Sequence, residues 1–451
     1  MIIDHVFRAY DIRGIYPSEI DEQFAFRLGQ AFGTFSNGSV VVGHDVRNGS
    51  KSLSENFING LISTGCKVVD IGLVTTPIII FSTGFYKFGA GVIVTASHNP
   101  KEYNGFKLYG KGAMPISFES GVKDILEIFE SGEFLQGDGS LEKRNILDDY
   151  TTHLIGNIQI KNPTKLKIVI DAGNGPAGII YPDIFKKIGV NLIGLFTDPD
   201  GNFPNRDPDP SKESSLIALK EKVLETKADL GFAYDIDADR MAVVDEKGNV
   251  VQTKNVFAML IKQTLSKNPK GKVIFDVLSS KLIGDTIQAN EGLPIICRVG
   301  HTYITQKFNE EDAILGGELS GHYYFKENFG GEDSLLASLK LIEFLTQNNK
   351  KLSGAANEFP QYFLEEVRLT VPDDKKFQMI EKMKKYAISD GFNLDFTDGL
   401  KIFFNDGWAA FRCSNTAPQI VIAYEGINQE SFQRIKNFAN DFVEKFRRDF
   451  A

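Results

Sequence analysis

Four short segments of this 451-residue chain gather side chains able to do chemistry. The first, Thr95-Ala96-Ser97-His98-Asn99-Pro100, follows the apolar run GVIV, so Ser97 stands where a buried strand would end. A serine hydroxyl is a weak nucleophile that needs a base or a metal, with cations nearby if substrate or product is anionic. His98 and Lys107 can supply basic groups. The same hexapeptide also reads as an Asn-Pro turn whose hydroxyl satisfies local backbone.

The second segment, Asp235-Ile236-Asp237-Ala238-Asp239-Arg240, closes the strand-like run GFAY. Three carboxylates at alternate positions raise one another's pKa values unless a cation neutralises them. Oxygen-only ligands favour Mg²⁺, Ca²⁺ or Mn²⁺ over zinc. A calcium EF-hand loop shares the spacing, and Glu246 falls at its twelfth position. Yet Arg240 stands where that loop needs glycine, and MAVVDEKGNVV reads as a β-hairpin. The bland alternative is a solvated acidic loop capped by Arg240.

In the third, Gly316-Gly317-Glu318-Leu319-Ser320-Gly321-His322, the glycines permit close backbone approach, and Glu318, Ser320 and His322 offer acceptors and donors for vicinal hydroxyls of a sugar. It reads equally as a glycine-rich turn around a buried histidine. The fourth, Arg412-Cys413-Ser414-Asn415-Thr416-Ala417-Pro418, supplies an arginine, the hydroxyls of Ser414 and Thr416, the Asn415 amide and backbone N–H groups for a phosphate dianion. An ordinary hairpin turn is the alternative.

The elements needed to position these segments can be read from periodicity. SVVVGHD, SLSENFINGLIS, KVVDIGLV, PIIIFSTGFYKF and GVIVTAS form a β-α-β-α-β series. A second series runs from KIVIDAGNG to DLGFAYDID, and a third from NVFAMLIKQTLSKN to SLLASLKLIEFLTQ. Alternation of this kind predicts an α/β fold: three similar α/β domains with mixed, mostly parallel sheets, whose ligand-bearing loops follow the strand ends at Val94, Tyr234 and Leu315. From about Glu365 the order changes to strand, helix, hairpin, strand and helix, a smaller α+β domain. Expected boundaries are 1–147 (serine loop), 148–249 (metal loop), 250–360 (sugar loop) and 361–451 (phosphate loop) around a central cleft, with NNKKLSG as a linker.

Composition narrows the function classes. The formal charge of −9, from 59 acidic and 50 basic residues, gives no overall attraction to nucleic acid or anionic membrane. Three widely spaced cysteines without a Cys-x-x-Cys pair argue against a disulfide framework or thiolate metal site and fit a reducing cytoplasm. Asp4, Arg8, Asp11 and Arg13 interrupt the opening segment, so a secreted protein is not expected. The greasiest stretch, IIIFSTGFYKFGAGVIV, is broken by Lys87 and glycines, so no membrane span is expected. No coiled-coil pattern emerges, and a monomer is the default.

In this order and spacing the four segments resemble the α-D-phosphohexomutase family: TASHNP its phosphoserine loop, DIDADR its magnesium loop, GGELSGH its sugar-discriminating loop and RCSNTAP its phosphate-binding loop. Further echoes are FRAYDIRG, GHDVRNGS, DAGNG, DPDGNFPNRDPDP and VGHTYI. Asn415 is similar to the phosphomannomutase/phosphoglucomutase branch, where phosphoglucosamine mutases usually show glycine. The resemblance implies that Ser97 carries a phosphoryl group and that Asp235, Asp237, Asp239 and a phosphate oxygen on Ser97 hold Mg²⁺. It implies transfer to a free hydroxyl of a hexose phosphate, reorientation of a bound hexose 1,6-bisphosphate, and return of its other phosphate to Ser97. Arg13, Lys107 and Arg240 would neutralise the moving charge; Lys107, His98 and His301 are candidates for the base. Glu318, Ser320 and His322 would hold the sugar, and Arg412, Ser414, Asn415 and Thr416 the distal phosphate. A hinge is expected near Asn357 to Tyr362. Departures from the pattern are Ala417, DIDADR for Asp-Gly-Asp-Gly-Asp-Arg, and Leu278 in place of a lysine. Rival readings are a glucosamine-phosphate or pentose-phosphate mutase, a non-catalytic sugar-phosphate-binding protein, and a phosphatase with an aspartate nucleophile.

Overall fold

A computed structural model describes residues 5–414 and 418–447. Its strands assemble into four sheets. The run Ala90–Val94 is buried at every position, as a strand covered on both faces requires, and pairs in parallel with Ser39–His44, which pairs in turn with Lys67–Leu73. Ser140–Lys143 extends this parallel set, while Tyr103–Tyr109 and Ile12–Ile15 add antiparallel partners on the other side. The second sheet has a parallel set of Leu230–Tyr234, Lys167–Asp171 and Asn191–Leu195, flanked by the antiparallel hairpin Met241–Asp245 and Val250–Val251. The third repeats the theme: Leu293–Cys297, Lys272–Asp276 and Leu315–Gly317 are parallel, and Tyr323–Phe325 and Gly331–Glu332 antiparallel. All three are mixed sheets covered by helices.

The fourth sheet is wholly antiparallel, in the order Phe363–Thr370, Gln419–Gly426, Gly407–Cys413, Leu400–Phe404, Asn393–Asp395. Strand alternation divides its residues between two partners. Ile420, Ile422 and Tyr424 join the core beneath helices Asp373–Ser389 and Gln429–Arg447, whereas Val421 and Ala423 join Trp408 and Ala410 against Val277 and Leu278 of the third unit. Leu278 is buried in this apolar seam.

Helix Thr76–Phe85 is apolar all round and buried along nearly its whole length. It belongs to a core continuous through the second and third units, shared with Tyr150, Ile170 and Leu335. Helix Ser334–Gln347, buried from Ser334 to Leu345, lies in the same core. The first three units are thus dovetailed.

The segment expected as a linker is docked: Leu352–Ala356 forms a short helix with Leu352 and Ala355 buried, and the Ser353 hydroxyl donates to Glu246 at 2.5 Å. Apolar residues three apart gave it a face to bury, which its charges concealed. Glu246 is thereby engaged by Ser353 and is not grouped with Asp235, Asp237 and Asp239. Among the described residues no helix is long and apolar enough to cross a membrane.

Candidate active site

The chain leaves the buried strand Ala90–Val94 into a loop in which Ser97 adopts a left-handed backbone, φ 50°. Two devices hold this uncommon conformation. The Thr95 hydroxyl accepts from the Ser97 amide at 2.9 Å and donates to Asp45 at 2.7 Å. Buried Arg47 donates to the carbonyls of Ser97 and Asn99 at 2.6 Å each, of Pro100 at 2.9 Å and of Tyr103 at 3.0 Å. Arg13 braces the outer side through Asn99 Oδ1 at 2.9 Å while paired with Asp11.

The strand Leu230–Tyr234 ends directly in the acidic loop, which meets the serine from the opposite side. Ser97 Oγ donates to Asp235 Oδ2 at 3.0 Å, and His98 Nδ1 lies 3.3 Å from the same hydroxyl. Asp235, Asp237 and Asp239 are at most 1% exposed, and one oxygen of each lies within 4.8 Å of the others. Lys107 Nζ donates to Asp237 at 2.6 Å and also to Asp239, while Thr76 donates to Asp237 at 2.7 Å. Among the described residues neither Asp237 Oδ1 nor Asp239 Oδ1, both buried, has a hydrogen-bond partner. Burying carboxylate oxygens without a hydrogen bond is costly, and a hard cation that takes oxygen ligands removes the cost. The donor set therefore fits a divalent metal.

Charges around this corner follow from their neighbours. Burial and the charges of Asp239 and Asp237 push Asp235 well above the usual carboxylate range. Burial also opposes ionisation of Asp239, but Lys107 and His322 outweigh it and hold that carboxyl low. Burial likewise opposes the Lys107 charge, yet Asp237 and Asp239 keep it an ammonium. Arg240, burial and Arg13 hold His98 far below an ordinary imidazole, and burial with Lys107 lowers His301 to about 4. Both rings are neutral at pH 7.

The third loop folds beside the metal corner. Its Glu318 accepts from the Gly300 amide at 3.1 Å and from Tyr324 Oη at 2.6 Å. His322 Nδ1 lies 3.0 Å from Glu318 and 2.9 Å from Ser320 Oγ, and His322 Nε2 lies 3.0 Å from Arg240 Nε and 3.4 Å from Asp239. Two demands meet at this ring. The contact with Arg240 Nε needs an unprotonated Nε2; against burial and the Arg240 charge, Asp239 and Glu318 push the ring up to about 9. A cation on Asp239 would settle the contest toward the neutral ring, since it removes the largest pull on the proton.

A cavity of about 460 Å³ opens between all four units. Arg8, Arg13, Arg240, Arg368 and Arg412 line it, along with His98, His301, Glu318, Ser320, His322 and Ser414. Five guanidiniums facing Asp11 and Glu318 make a site for an anion bearing hydroxyls. Arg412 is held by Asp398 at 2.8 Å.

The sequence of the chain matches, over residues 4–136, 148–248 and 253–363, the α/β/α domains I, II and III of phosphoglucomutase/phosphomannomutase, and over residues 366–441 their C-terminal domain. It is 35% identical over 437 residues to a phosphomannomutase/phosphoglucomutase of Pseudomonas aeruginosa, covering 96% of this chain and 94% of that one. The chain belongs to the phosphoglucomutase/phosphomannomutase family. A phosphomannomutase of Escherichia coli is 35% identical over 429 residues, covering 93% of this chain and 94% of that protein. Among solved structures, a phosphoglucomutase/phosphomannomutase family protein of Burkholderia thailandensis superposes with a TM-score of 0.92 at 32% identity, over 99% of this chain and 98% of that one.

For a chain of this family, the structure gathers Ser97, His98, Lys107, Arg13, Arg240, His301, Glu318, Ser320, His322, Arg412, Ser414 and the three aspartates around one cleft. Asn415 and Thr416 lie outside the described residues. Residues given no site role from the sequence, though some stand in quoted segments, are the brace of Asp45, Thr95 and Arg47, the cavity arginines Arg8 and Arg368, and Asp398. Arg8 and Asp11 precede Arg13 in FRAYDIRG, a charge density uncommon beside a strand and readable as a signal. Arg368, in EEVRLTVP, carries none.

Proposed function

We propose that the protein is a phosphohexomutase that moves a phosphate reversibly between C1 and C6 of mannose or glucose phosphate by way of a phosphoserine at Ser97. One observation carries this reading: the buried Ser97 hydroxyl lies 3.0 Å from Asp235 within a metal-competent triad, at the edge of a cavity lined by five arginines. The family membership supports the reaction class.

Asp235, Asp237, Asp239 and Ser97 would hold Mg²⁺, which when bound offsets charge on the transferring phosphoryl group. Arg13, Arg240 and Lys107 add fixed positive charge at the same place. The sugar hydroxyl that takes the phosphoryl group from Ser97 releases its proton to a base. Neutral His301, which lines the cavity, suits that task better than Lys107, which two aspartates keep protonated. Glu318, Ser320 and His322 receive sugar hydroxyls. Arg412 and Ser414, with Asn415 and Thr416, hold the distal phosphate whichever end of the hexose faces Ser97, before and after a bound hexose 1,6-bisphosphate turns end for end. The segment 357–362 leads into the fourth unit and serves as the hinge. We further infer that it works as a single chain in the cytoplasm, where its free cysteines stay reduced, in four units bounded near residues 147, 249 and 360.

The test is ³¹P NMR of the protein with Mg²⁺, a trace of glucose 1,6-bisphosphate, and mannose 1-phosphate, glucose 1-phosphate or glucosamine 1-phosphate in separate samples. A 6-phosphate resonance that grows with the native chain and not with Ser97→Ala is expected for the first two sugars. Conversion of glucosamine phosphate alone would reassign the substrate. Release of inorganic phosphate, or binding without conversion, would overturn the mutase reading.

A further inference from the structure

The loop after strand Leu293–Cys297 is gripped from two sides. Tyr10 of the first unit donates to the Val299 carbonyl at 3.4 Å, and Asp398 Oδ2 of the fourth unit accepts from the Val299 amide at 3.0 Å. The next residue, Gly300, has φ 129°, and a Cβ there would lie 2.8 Å from Tyr10 Oη, so this approach requires glycine. Its amide donates to Glu318, and His301 follows. One short loop therefore joins three units at the rim of the cavity.

The same Asp398 Oδ2 accepts from Arg412 Nε at 2.8 Å. Asp398 and Arg412 side chains are only 12% and 7% exposed. The turn sits flush on the arginine's backbone: Gly399 has φ 82°, and a Cβ on it would lie 2.3 Å from the Phe411 carbonyl and 2.9 Å from Arg412 Cα. Arg412, Val299 and Gly300 line the cavity, whereas Asp398 does not.

We propose that Asp398 is a positioning residue that ties the aim of Arg412 to the seating of the fourth unit on the third. A guanidinium held through Nε by a carboxylate has its plane fixed, and its remaining donors stay available to a phosphate. That carboxylate is in turn fixed by the Val299 amide, a donor on the neighbouring unit. When the fourth unit moves away, Asp398 loses this donor and the arginine loses its fixed bearing. Grip on the distal phosphate is then strong only in the closed cleft, so the seating of the fourth unit sets how firmly the bisphosphate intermediate is held in either orientation.

This inference rests on the mutase reading, and its test separates the two. For Asp398→Asn we expect KM for glucose 1-phosphate to rise about tenfold with kcat within about threefold. The glucose 1,6-bisphosphate needed for half-maximal rate should rise about tenfold, because the intermediate escapes, while the melting temperature is unchanged. Asp398→Glu, which keeps the charge, should recover part of the loss. Should the Asn variant fail to fold, Asp398→Ser carries the same test. Native values of KM and bisphosphate demand, or a loss of kcat that follows a lowered melting temperature, would overturn the proposal. If the unaltered protein turned over none of the sugars, the mutase reading would fall. Calorimetric binding of glucose 1,6-bisphosphate to the native and Asp398→Asn proteins would still decide the positioning role, with equal affinities counting against it.

Discussion

The two ends of the cleft are built on opposite terms. At the serine end the loops are wedged between dovetailed units: Thr76, from a helix inside the shared core, holds Asp237, and Ser334, from another, donates to the Ala238 carbonyl at 2.6 Å. At the far end Arg412 and Arg368 ride on a sheet that meets the third unit through one apolar seam and a few polar straps, among them Asp398 to Val299 and Lys401 to the Val277 carbonyl at 2.5 Å. The difference teaches a division of labour. On the function proposed above, the end that would form and break the phosphorus bond is the more firmly wedged, and the end that would only hold phosphate rests on fewer contacts, as suits a substrate that must present both of its ends.

If that contrast is right, substitutions at the serine end should act on kcat and those at the far end on KM. Ser97→Ala should lower turnover by about 10⁴-fold or more, since it deletes the hydroxyl that donates to Asp235 and would carry the phosphoryl group; a coupled assay for glucose 6-phosphate measures it. Asp237→Asn should cost on the order of 10²–10³-fold in kcat, and a chelator should abolish activity until Mg²⁺ is restored. Arg412→Ala should raise KM by roughly 10–100-fold with a smaller change in kcat, a split visible in steady-state kinetics. A fall in kcat as deep as that of Asp237→Asn would erase the distinction between the two ends.

The seam supplies the smallest effect. Burial pulls Lys401 down to about 8 from its ordinary 10.5, against the nearby charges of Glu425 and Asp276. Below pH 8 the folded and unfolded chains both carry this proton, and the fold bears a buried charge. Between pH 8 and 10.5 the unfolded chain still binds it while the folded chain has released it, so stability rises with pH. Lys401→Met removes a buried-charge penalty of about 3 kcal/mol at pH 7 but also the hydrogen bond to the Val277 carbonyl, so it should be more stable than the native chain there by a net of about 1–2 kcal/mol and should lose that advantage by pH 10.5. Urea melts at the two pH values measure this.

Much of this layout could be read from the chain alone. GVIV and GFAY are continuous apolar runs that end in Thr95 and Asp235, so strand ends and loop chemistry were legible together. What stayed hidden depends on distance along the chain. Arg47 serves carbonyls some fifty residues away, and Asp398 reaches Val299 across 99 positions, pairings that no local period encodes. Leu278, notable in the sequence for what it replaces, becomes intelligible only beside Trp408 and Val421.

Arg47 has one more consequence. By drawing the carbonyls of Ser97, Asn99, Pro100 and Tyr103 onto a single guanidinium, it gathers the lone pairs of the loop on one side. In a planar trans peptide the N–H points opposite to the C=O, so the amides of His98 and Lys101 turn away from Arg47. The loop is polarised as a whole, electron-rich toward its buried arginine and electron-poor on its other side. A lysine there, with three donors on a single nitrogen, could not serve four carbonyls at once.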